Sequence, residues 1–421
     1  MKPPLFTILL AIASLGFSQE EKLSLNTCLD LALKNSKKIE MTRAEVFYAK
    51  AAQKEALSYL LPQLSVEGKY EQKNVERDFS VFSEYGGAFS AQSIGVTAQC
   101  LLYDFGKSWN QLRAEKKALA ASKMTLERTI QRIEEETKIA YFHTLEAKHA
   151  VQVVEDSIKG LLEQLQVTKD LFDHSMTSKS DILFIEIQIG EKKKASLRAK
   201  NEHFLASMNL NRLLGNALTV SLDLEDDLPI PEIPTSIEVL KSLALQNRSD
   251  LKALNYKLQS LKDKRSATKA EYAPRLYAFG NYSYLRDTFS DQKNWVSGGV
   301  GMQFSLYDGG KTSAAGARID AQTQEFEARR DELENDILEE TYFLVAQLGE
   351  EEANIEIDKK SLSFAEENLK NVSERYKQGL ASVRDLLDSE DQLSQSRMSL
   401  TQTFYRTQVT YAKLLSVIGG L

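Results

Sequence analysis

The sequence has little proline and few residues that break helices. Only 7 of its 421 residues are proline and 20 are glycine, whereas charged residues make up 27%. Long runs of Ala, Glu, Lys, Leu and Gln are therefore uninterrupted, and these residues favour helices. Such a composition is typical of long helices or coiled coils and argues against an ordinary compact globule.

The sequence also lacks an excess of positive charge, and cysteine and histidine are scarce. The formal net charge is −7, so the basic footprint of a nucleic-acid-binding protein is absent. Cys28 and Cys100 fall in a predicted helix and a predicted strand, which favours two unpaired thiols over a disulfide. The 4 histidines are scattered, and no Walker, GxSxG or HExxH motif occurs. We therefore expect no enzyme activity, no cofactor and no metal site.

Beyond the N-terminus, no segment has the roughly 18 continuous apolar residues of a membrane helix. Barrel strands are not excluded by this, because their apolar residues alternate with polar ones. Residues 1–18, MKPPLFTILLAIASLGFS, place one lysine before an apolar run and small residues at its end. This pattern predicts a secretory signal peptide, with a membrane anchor as the alternative.

Four short motifs occur twice and in the same order, which predicts an internal duplication. They are LDLALKNS (29–36) with LKSLALQNRS (240–249), LPQLSVEGKY (61–70) with APRLYAFGNY (273–282), LLYDFGK (101–107) with SLYDGGK (305–311), and LNRLLG (210–215) with LLSVIG (414–419). We predict repeats at 19–222 and 237–421, each with a helix, a β-hairpin, a long helix and a return helix. The acidic, proline-rich segment 223–236 is predicted to be an extended linker.

The predicted hairpins lie at about 63–104 and 275–308. Apolar and polar residues alternate over about ten positions before each YD(F/G)GK-like junction, the length of a tilted transmembrane strand. The apolar sets are Leu64, Val66 and Tyr70; Ile94, Val96, Cys100 and Leu102; and Val296, Val300, Met302, Phe304 and Leu306. Tyr277 and Phe279 break the pattern, and Tyr282, Tyr284 and Trp295 suggest an aromatic girdle at a membrane interface. The alternative is an ordinary sheet in a soluble protein.

Four strands cannot close a barrel, and lipid does not tolerate open sheet edges. A barrel with a lumen needs at least about eight strands. If these strands cross a membrane, several copies of the chain must therefore share one barrel.

The helical parts have coiled-coil periodicity. From Lys107 to about Phe172, apolar residues recur at every seventh position, and a similar seam runs from Ile319 to Tyr376. Return helices are predicted at about 179–214 and 383–418, and a further helix at about 27–60. The return helix and the helix before the strands, placed end to end, have about the length of one long helix. This balance of lengths is what a hollow cylinder of antiparallel coiled coils requires.

Each long helix ends at a short break, 173–181 (DHSMTSKSD) or 376–385 (YKQGLASVRD). Asp385 and Asp388 are three residues apart beside the second break, so they share a helix face. Asp181 has the position of Asp385 in the first repeat. The ordinary interpretation is that acidic residues at a helix start complement the helix dipole.

The duplicated layout, the LYDFGK and LYDGGK junctions and the segment YKQGLASVRDLLDSEDQL resemble the TolC-type outer membrane efflux family. The last segment is the most specific, because it fits the family's YxxG-x5-D-x2-D pattern. The resemblance covers nearly the whole mature chain. It implies a mainly α protein with β-structure: long antiparallel coiled-coil helices plus four transmembrane β-strands per protomer.

In that family a homotrimer forms a 12-stranded barrel in the outer membrane of a Gram-negative-type cell and an α-helical tunnel through the periplasm. The resemblance therefore implies a passive exit duct for drug efflux or type I secretion. Its partners would be outer membrane lipid, a periplasmic membrane-fusion adaptor and an inner-membrane RND or ABC transporter. A soluble periplasmic coiled-coil scaffold is the alternative function.

The resemblance also assigns roles to individual residues. Asp385, Asp388, Asp181 and Tyr376 would form a periplasmic gate. The adaptor would contact the turn residues Ser175, Met176, Thr177, Ser178, Gly379, Leu380, Ala381 and Ser382. The strand–helix junctions would be Tyr103, Asp104 and Gly106, and Tyr307, Asp308, Gly309 and Gly310. The family has an Arg five residues after the tyrosine, where this chain has Ala381, so Arg384 or Lys179 would have to replace it in a salt bridge.

Overall fold

The computed structural model describes residues 22–75, 87–226, 236–287 and 294–419. The predicted signal peptide and most of the predicted linker lie outside these ranges. The described elements are, in order, α1 (Leu25–Asn35), α2 (Lys37–Ser58), β1 (Gln63–Val75), β2 (Gly87–Tyr103), α3 (Lys107–Asp173), α4 (Lys179–Leu214), α5 (Ile237–Asn247), α6 (Ser249–Lys269), β3 (Arg275–Asp287), β4 (Asn294–Gln303), α7 (Lys311–Lys377) and α8 (Val383–Val417).

The two long helices, α3 and α7, each have 67 residues and begin directly after the duplicated junction motif. The predicted long and return helices are confirmed with ends that differ by about one residue. No helix within the described ranges is long and apolar enough to cross a membrane.

The helix predicted at about 27–60 is present but divided, because the chain forms α1 and α2 with a break at Ser36. The second repeat breaks at the equivalent Arg248, and both residues have extended backbone, with ψ of 118° and 117°. Arg248 is 7% exposed. Its guanidinium contacts Asp250 at 3.1 Å and Glu340 at 2.8 Å. A helical pattern alone does not reveal these ion pairs.

The chain divides into two compact units. Of the described residues, the first comprises 22–36, 133–226 and 344–414, and the second comprises 37–75, 87–132, 236–287, 294–343 and 415–419. In the first unit, the predicted seven-residue seams are buried, which confirms the coiled-coil interpretation. Its buried seam residues include Ile133, Ala140, Val154, Leu161, Leu344, Leu348, Ile355, Leu386 and Leu393.

The first residues of the predicted linker are packed into the first unit. Leu224 is 2% exposed. It lies in a parallel bridge with Leu23, where the Leu23 N–H donates to the carbonyl of Asp223 at 2.8 Å. The Tyr405 hydroxyl donates to Asp226 at 2.8 Å. Residues 223–226 are therefore anchored to helices, whereas 227–235 lie outside the described residues.

The second unit contains a four-stranded antiparallel sheet in the order β1-β2-β3-β4. The pairing of β2 with β3 joins the two hairpins of the duplication. The register aligns Val66, Val96, Tyr282 and Val296 in one row across all four strands. Large apolar side chains on this face are exposed in one copy of the chain: Leu64, Val66, Tyr70, Ile94, Val96, Tyr282, Tyr284, Val296, Val300 and Met302. The predicted alternation is confirmed.

The opposite face is polar, with Ser65, Thr97, Asn281 and Ser297 in one row. Tyr277 and Phe279 lie on this face, as the sequence indicated, and each covers a glycine of β4. A Cβ at Gly301 would overlap the Tyr277 ring, and one at Gly299 would lie 3.5 Å from the Phe279 ring. The two aromatic rings therefore fill space that the glycines leave open.

Two expectations for the second hairpin were wrong. Trp295 pairs with Ser283 on the polar face, so it does not share a girdle with Tyr282 and Tyr284. In addition, β4 ends at Gln303, whose partner Arg275 is the first residue of β3. Because Pro274 precedes β3 and has no backbone N–H, the ladder cannot continue there. The segment 304–308, including Leu306 and Tyr307, therefore lies outside the strand.

Candidate functional site

The α3–α4 and α7–α8 turns have the same backbone geometry. Ser175 and Gly379 occupy equivalent positions with φ of 57° and 73°. The next residues, Met176 and Leu380, donate their backbone N–H to carbonyls five residues earlier, each at 2.8 Å. Met176 is 58% exposed and Leu380 is 64% exposed. Each turn thus presents one large apolar side chain to solvent.

Both return helices begin with a serine and an aspartate that cap each other. In the first, the Ser178 N–H donates to Asp181 at 3.1 Å, and the Thr177 hydroxyl donates to the same carboxylate. In the second, the Ser382 N–H and hydroxyl donate to Asp385 at 2.9 and 2.8 Å. Asp181 and Asp385 are therefore capping-box residues.

These hydrogen bonds explain the acidity of the two aspartates. Bonds from the Ser382 backbone and hydroxyl lower the pKa of Asp385. Partial burial acts to raise the pKa of Asp181, but hydrogen bonds from Thr177 and Ser178 outweigh it and the pKa is lowered. Both carboxylates are thus held in their charged form by the turns that they cap.

Asp388 differs from Asp385. It is exposed on the first turns of α8, and in the part of the chain that the structure describes it makes no hydrogen bond or ion pair. Its equivalent in the first repeat is Phe184, which is 50% exposed. Of the two predicted acidic gate residues on α8, Asp385 accepts capping hydrogen bonds, whereas the Asp388 carboxylate accepts none from the described residues.

Tyr376 is only 4% exposed, and it packs against Leu161, Ile185 and Leu386. Its hydroxyl lies 3.0 Å from the hydroxyl of Thr168 on α3. The structure therefore places this predicted gate residue in the core of the tip. Thr168 is a contact that the sequence did not reveal, because a threonine in a helical seam carries no signal of its own.

The two turns border a cavity of about 400 Å³. Its lining includes Met176, Asp181, Ala381 and Arg384. Among the described residues, no ion pair joins Asp181 or Asp385 to a basic side chain of the same copy. The predicted replacement of the missing arginine by Arg384 or Lys179 is therefore not made within one copy of the chain.

The strand–helix junctions both use a capping aspartate followed by two residues of positive φ. Asp104 accepts from the Ser108 N–H at 2.8 Å, and Asp308 accepts from the Thr312 N–H at 2.9 Å. Gly309 and Gly310 have φ of 68° and 84°.

In the first repeat these two positions are Phe105 and Gly106, with φ of 52° and 86°. Phe105 adopts the left-handed conformation although it has a side chain. Its ring lies 4.8 Å from that of Tyr103.

The family model for outer membrane efflux proteins matches residues 28–216 and 240–420, once for each repeat. Alkaline protease secretion protein AprF of Pseudomonas aeruginosa is 20% identical over 67% of the chain and 60% of its own length. Cation efflux system protein CusC of Escherichia coli O157:H7 is 22% identical over 94% of the chain and 85% of its own length. The crystal structure of the Campylobacter jejuni CmeC outer membrane channel superimposes with a TM-score of 0.85 and 14% identity, covering 100% of the chain and 93% of CmeC.

Proposed function

Because the chain belongs to the outer membrane efflux protein family, we propose that three copies assemble into a passive duct from the periplasm through the outer membrane. Three copies of the four-stranded sheet would supply twelve strands (three times four). That number exceeds the roughly eight strands that a barrel with a lumen requires. The apolar face would contact lipid and the polar face would line the duct.

The observation that carries this proposal is the sheet of the second unit. Its edge strands β1 and β4 each lack a second neighbour within the described chain, and its apolar face is uncovered. An exposed sheet with open edges and a continuous apolar face is unstable in water and also in lipid. Pairing of β1 in one copy with β4 in the next removes both edges.

The helices of the first unit support the same assembly. Large apolar side chains on α4 and α7 are exposed in one copy, with the seven-residue spacing of a coiled-coil seam between Leu197 and Phe204 and between Ile357 and Phe364. Further exposed members are Leu183, Phe184 and Ile187. A neighbouring copy would cover these side chains.

We further propose that the tip formed by the two turns is the gate and the docking site of the duct. Three-fold symmetry would bring six carboxylates together, Asp385 and Asp388 from each copy, which favours cations over anions. Asp181 and Tyr376 would stabilise the closed tip. Met176 and Leu380, with their neighbouring turn residues, would contact a periplasmic adaptor, and an inner-membrane RND or ABC transporter would supply the energy.

Two classes of cargo fit the relatives. AprF is named for alkaline protease secretion and CusC for cation efflux. The described residues include no group of three or more His, Cys, Asp or Glu placed to hold a metal ion. We therefore propose export of organic compounds or of protein as the function to test first.

Cysteine cross-linking tests the assembly. In a variant with Cys28 and Cys100 replaced by serine, one cysteine is placed on β1 (Ser65→Cys) and one on β4 (Ser297→Cys), and outer membranes are treated with a short bifunctional maleimide. We expect covalent trimers, because β1 and β4 meet between copies. The matched control places the second cysteine on the inner strand β2 (Thr97→Cys).

A soluble scaffold gives a different outcome. It would be released from cells without detergent, and the edge cysteines would remain in monomers. Either result would contradict the proposed barrel.

A further inference from the structure

A cavity of about 460 Å³ lies at the strand–helix junction of the second unit, on the polar face of the sheet. Its volume is within the range of sites that bind small organic molecules, about 300 to 1,000 Å³. Tyr59, Leu61 and Leu101 provide apolar walls, and Gln99 and Gln111 provide amide groups. The cavity therefore combines apolar surface with hydrogen-bonding groups.

Most charged side chains around this cavity already have a partner within the protein. The Lys107 ammonium lies 3.0 Å from the Glu271 carboxylate. Asp104 accepts the backbone N–H of Ser108 at 2.8 Å as the cap of α3. Neither pair needs a ligand.

Arg275 is the exception. It is exposed, and in the part of the chain that the structure describes it makes no ion pair or hydrogen bond. Its guanidinium lies 5.8 Å from the centroid of the Tyr277 ring, which holds it on the polar face. The equivalent residue of the first repeat is the neutral Gln63, which also lines the cavity. The second repeat thus places at this cavity one guanidinium that has no ion-pair partner among the described residues.

We propose that this cavity is a binding site for small organic anions with a flat apolar body, such as aromatic sulfonates or carboxylates. The anionic group would receive the fork of donors of Arg275, and the ring would lie against Tyr59 and Leu101. Only the assignment of the site to the duct interior rests on the proposed function. There it would hold such compounds transiently at the inner rim of the barrel.

Equilibrium dialysis of naphthalene-1-sulfonate against the full protein in lipid nanodiscs tests the site, with empty nanodiscs subtracted. We expect saturable binding of one probe per chain. Arg275→Gln, which copies the first repeat, should weaken binding by about tenfold or more, because it removes a charged donor. Neutral naphthalene-1-methanol should bind equally to both proteins. Tyr59→Ser should weaken binding of both probes.

Lys69→Gln is the matched control, since Lys69 is on the polar face of β1 away from the cavity. It should leave binding unchanged. Absence of saturable binding, equal affinity in Arg275→Gln, or an equal loss in Lys69→Gln would overturn the proposal. Cross-linking of β1 to β4 between copies, as described above, is measured separately. Covalent trimers without binding overturn the site alone, and binding without covalent trimers overturns the duct alone.

Discussion

The hydroxyl of Tyr376 on α7 lies 3.0 Å from the hydroxyl of Thr168 on α3, and both side chains are buried. Thr168 also donates to the carbonyl of Gln164 at 2.9 Å. Tyr376 therefore donates to Thr168. This bond connects the long helices of the two repeats inside one copy, directly beside the turns of the proposed gate.

Tyr376→Phe should remove this bond while it keeps the ring in the core. We expect a loss of about 1 kcal/mol in local stability, because a buried hydrogen bond contributes about that much. Hydrogen exchange of the end of α7 measures the loss, and single-channel conductance should rise as the tip opens more often. Thr168→Val is the matched change on α3. If the two losses simply add in the double variant, the hydroxyls do not interact.

Asp388→Ala and Asp385→Ala should have different effects. Asp388 makes no hydrogen bond or ion pair with the described residues, so its loss should weaken block by divalent cations and raise conductance in planar bilayers without reducing thermal stability. Asp385 forms the capping box of α8 with Ser382, and its loss should destabilise the first turn, which hydrogen exchange at 383–389 would show. Unchanged block in Asp388→Ala and in the double variant would remove these residues from the gate.

Because the two aspartates cap their helices in the charged form, we expect the starts of these helices to lose stability at acid pH. The pKa of Asp385 is lowered in the folded protein, so its cap contributes fully above the unfolded pKa of about 3.9 and is lost as pH falls through the lower folded value. The protection factors of the 383–389 amides, which correct for the intrinsic pH dependence of exchange, should therefore stay constant from neutral pH down to about 4 and fall below it. In Asp385→Asn this acid step should be absent, with Asp181→Asn as the matched change at α4. An acid step of equal size at 383–389 in both variants would contradict the assignment of this step to Asp385.

Much of this fold could be predicted from the sequence, because the same helix and strand patterns occur in both repeats. The spacing of apolar residues predicted α3, α7 and the return helices, and the alternation predicted both faces of the sheet. The breaks at Ser36 and Arg248 were missed because each is a single residue of extended backbone within an otherwise helical pattern. The ion pair of Arg248 with Glu340 joins residues far apart in sequence, so the sequence did not reveal it either. The end of β4 was missed because it depends on where its partner β3 begins.

In the candidate site, too, local features could be predicted from the sequence, whereas contacts between distant residues could not. Serine followed three residues later by aspartate is a local signal, so the cap of α8 by Ser382 could be predicted. The fact that Asp388 remains unused, whereas Asp385 is occupied, requires the positions of all neighbouring groups. The Tyr376–Thr168 contact joins residues 208 positions apart, and no local pattern reports it.

Of the variants at Phe105, the one with glycine should be more stable than the one with alanine, which is not the usual order. Because it has φ of 52°, a side chain at this position costs about 1–2 kcal/mol in the left-handed conformation. Phe105→Ala keeps that cost and loses the contact with Tyr103, whereas Phe105→Gly loses the contact and the cost together. We expect the glycine variant to be the more stable by about 1 kcal/mol. Denaturation followed by Trp109 fluorescence, in a Trp295→Phe background, measures the difference, and a more stable alanine variant would contradict the junction geometry.

Glu390 of α8 is 6% exposed, and its carboxyl group faces Gly160, where a Cβ would lie 3.2 Å from Oε1. This contact gives a reason for the single glycine of α3. Burial raises the pKa of Glu390, although Lys192 and Arg397 act in the opposite direction. The folded protein therefore binds this proton more tightly than the unfolded chain does.

This difference in proton binding fixes the sign of a pH effect. Stability from Glu390 is fully present below the unfolded pKa of about 4.3 and is lost as pH rises through the raised folded pKa. Glu390→Gln cannot ionise, so it should match the wild type near pH 4 and become the more stable protein as pH increases. Thermal unfolding from pH 4 to 9 measures this, with the exposed Glu163→Gln as the control. A variant that is less stable at every pH would mean that Glu390 is ionised and stabilised by Lys192. In the expected case, proton loss from Glu390 weakens the packing of α3 against α8, the helix that carries Asp385 and Asp388.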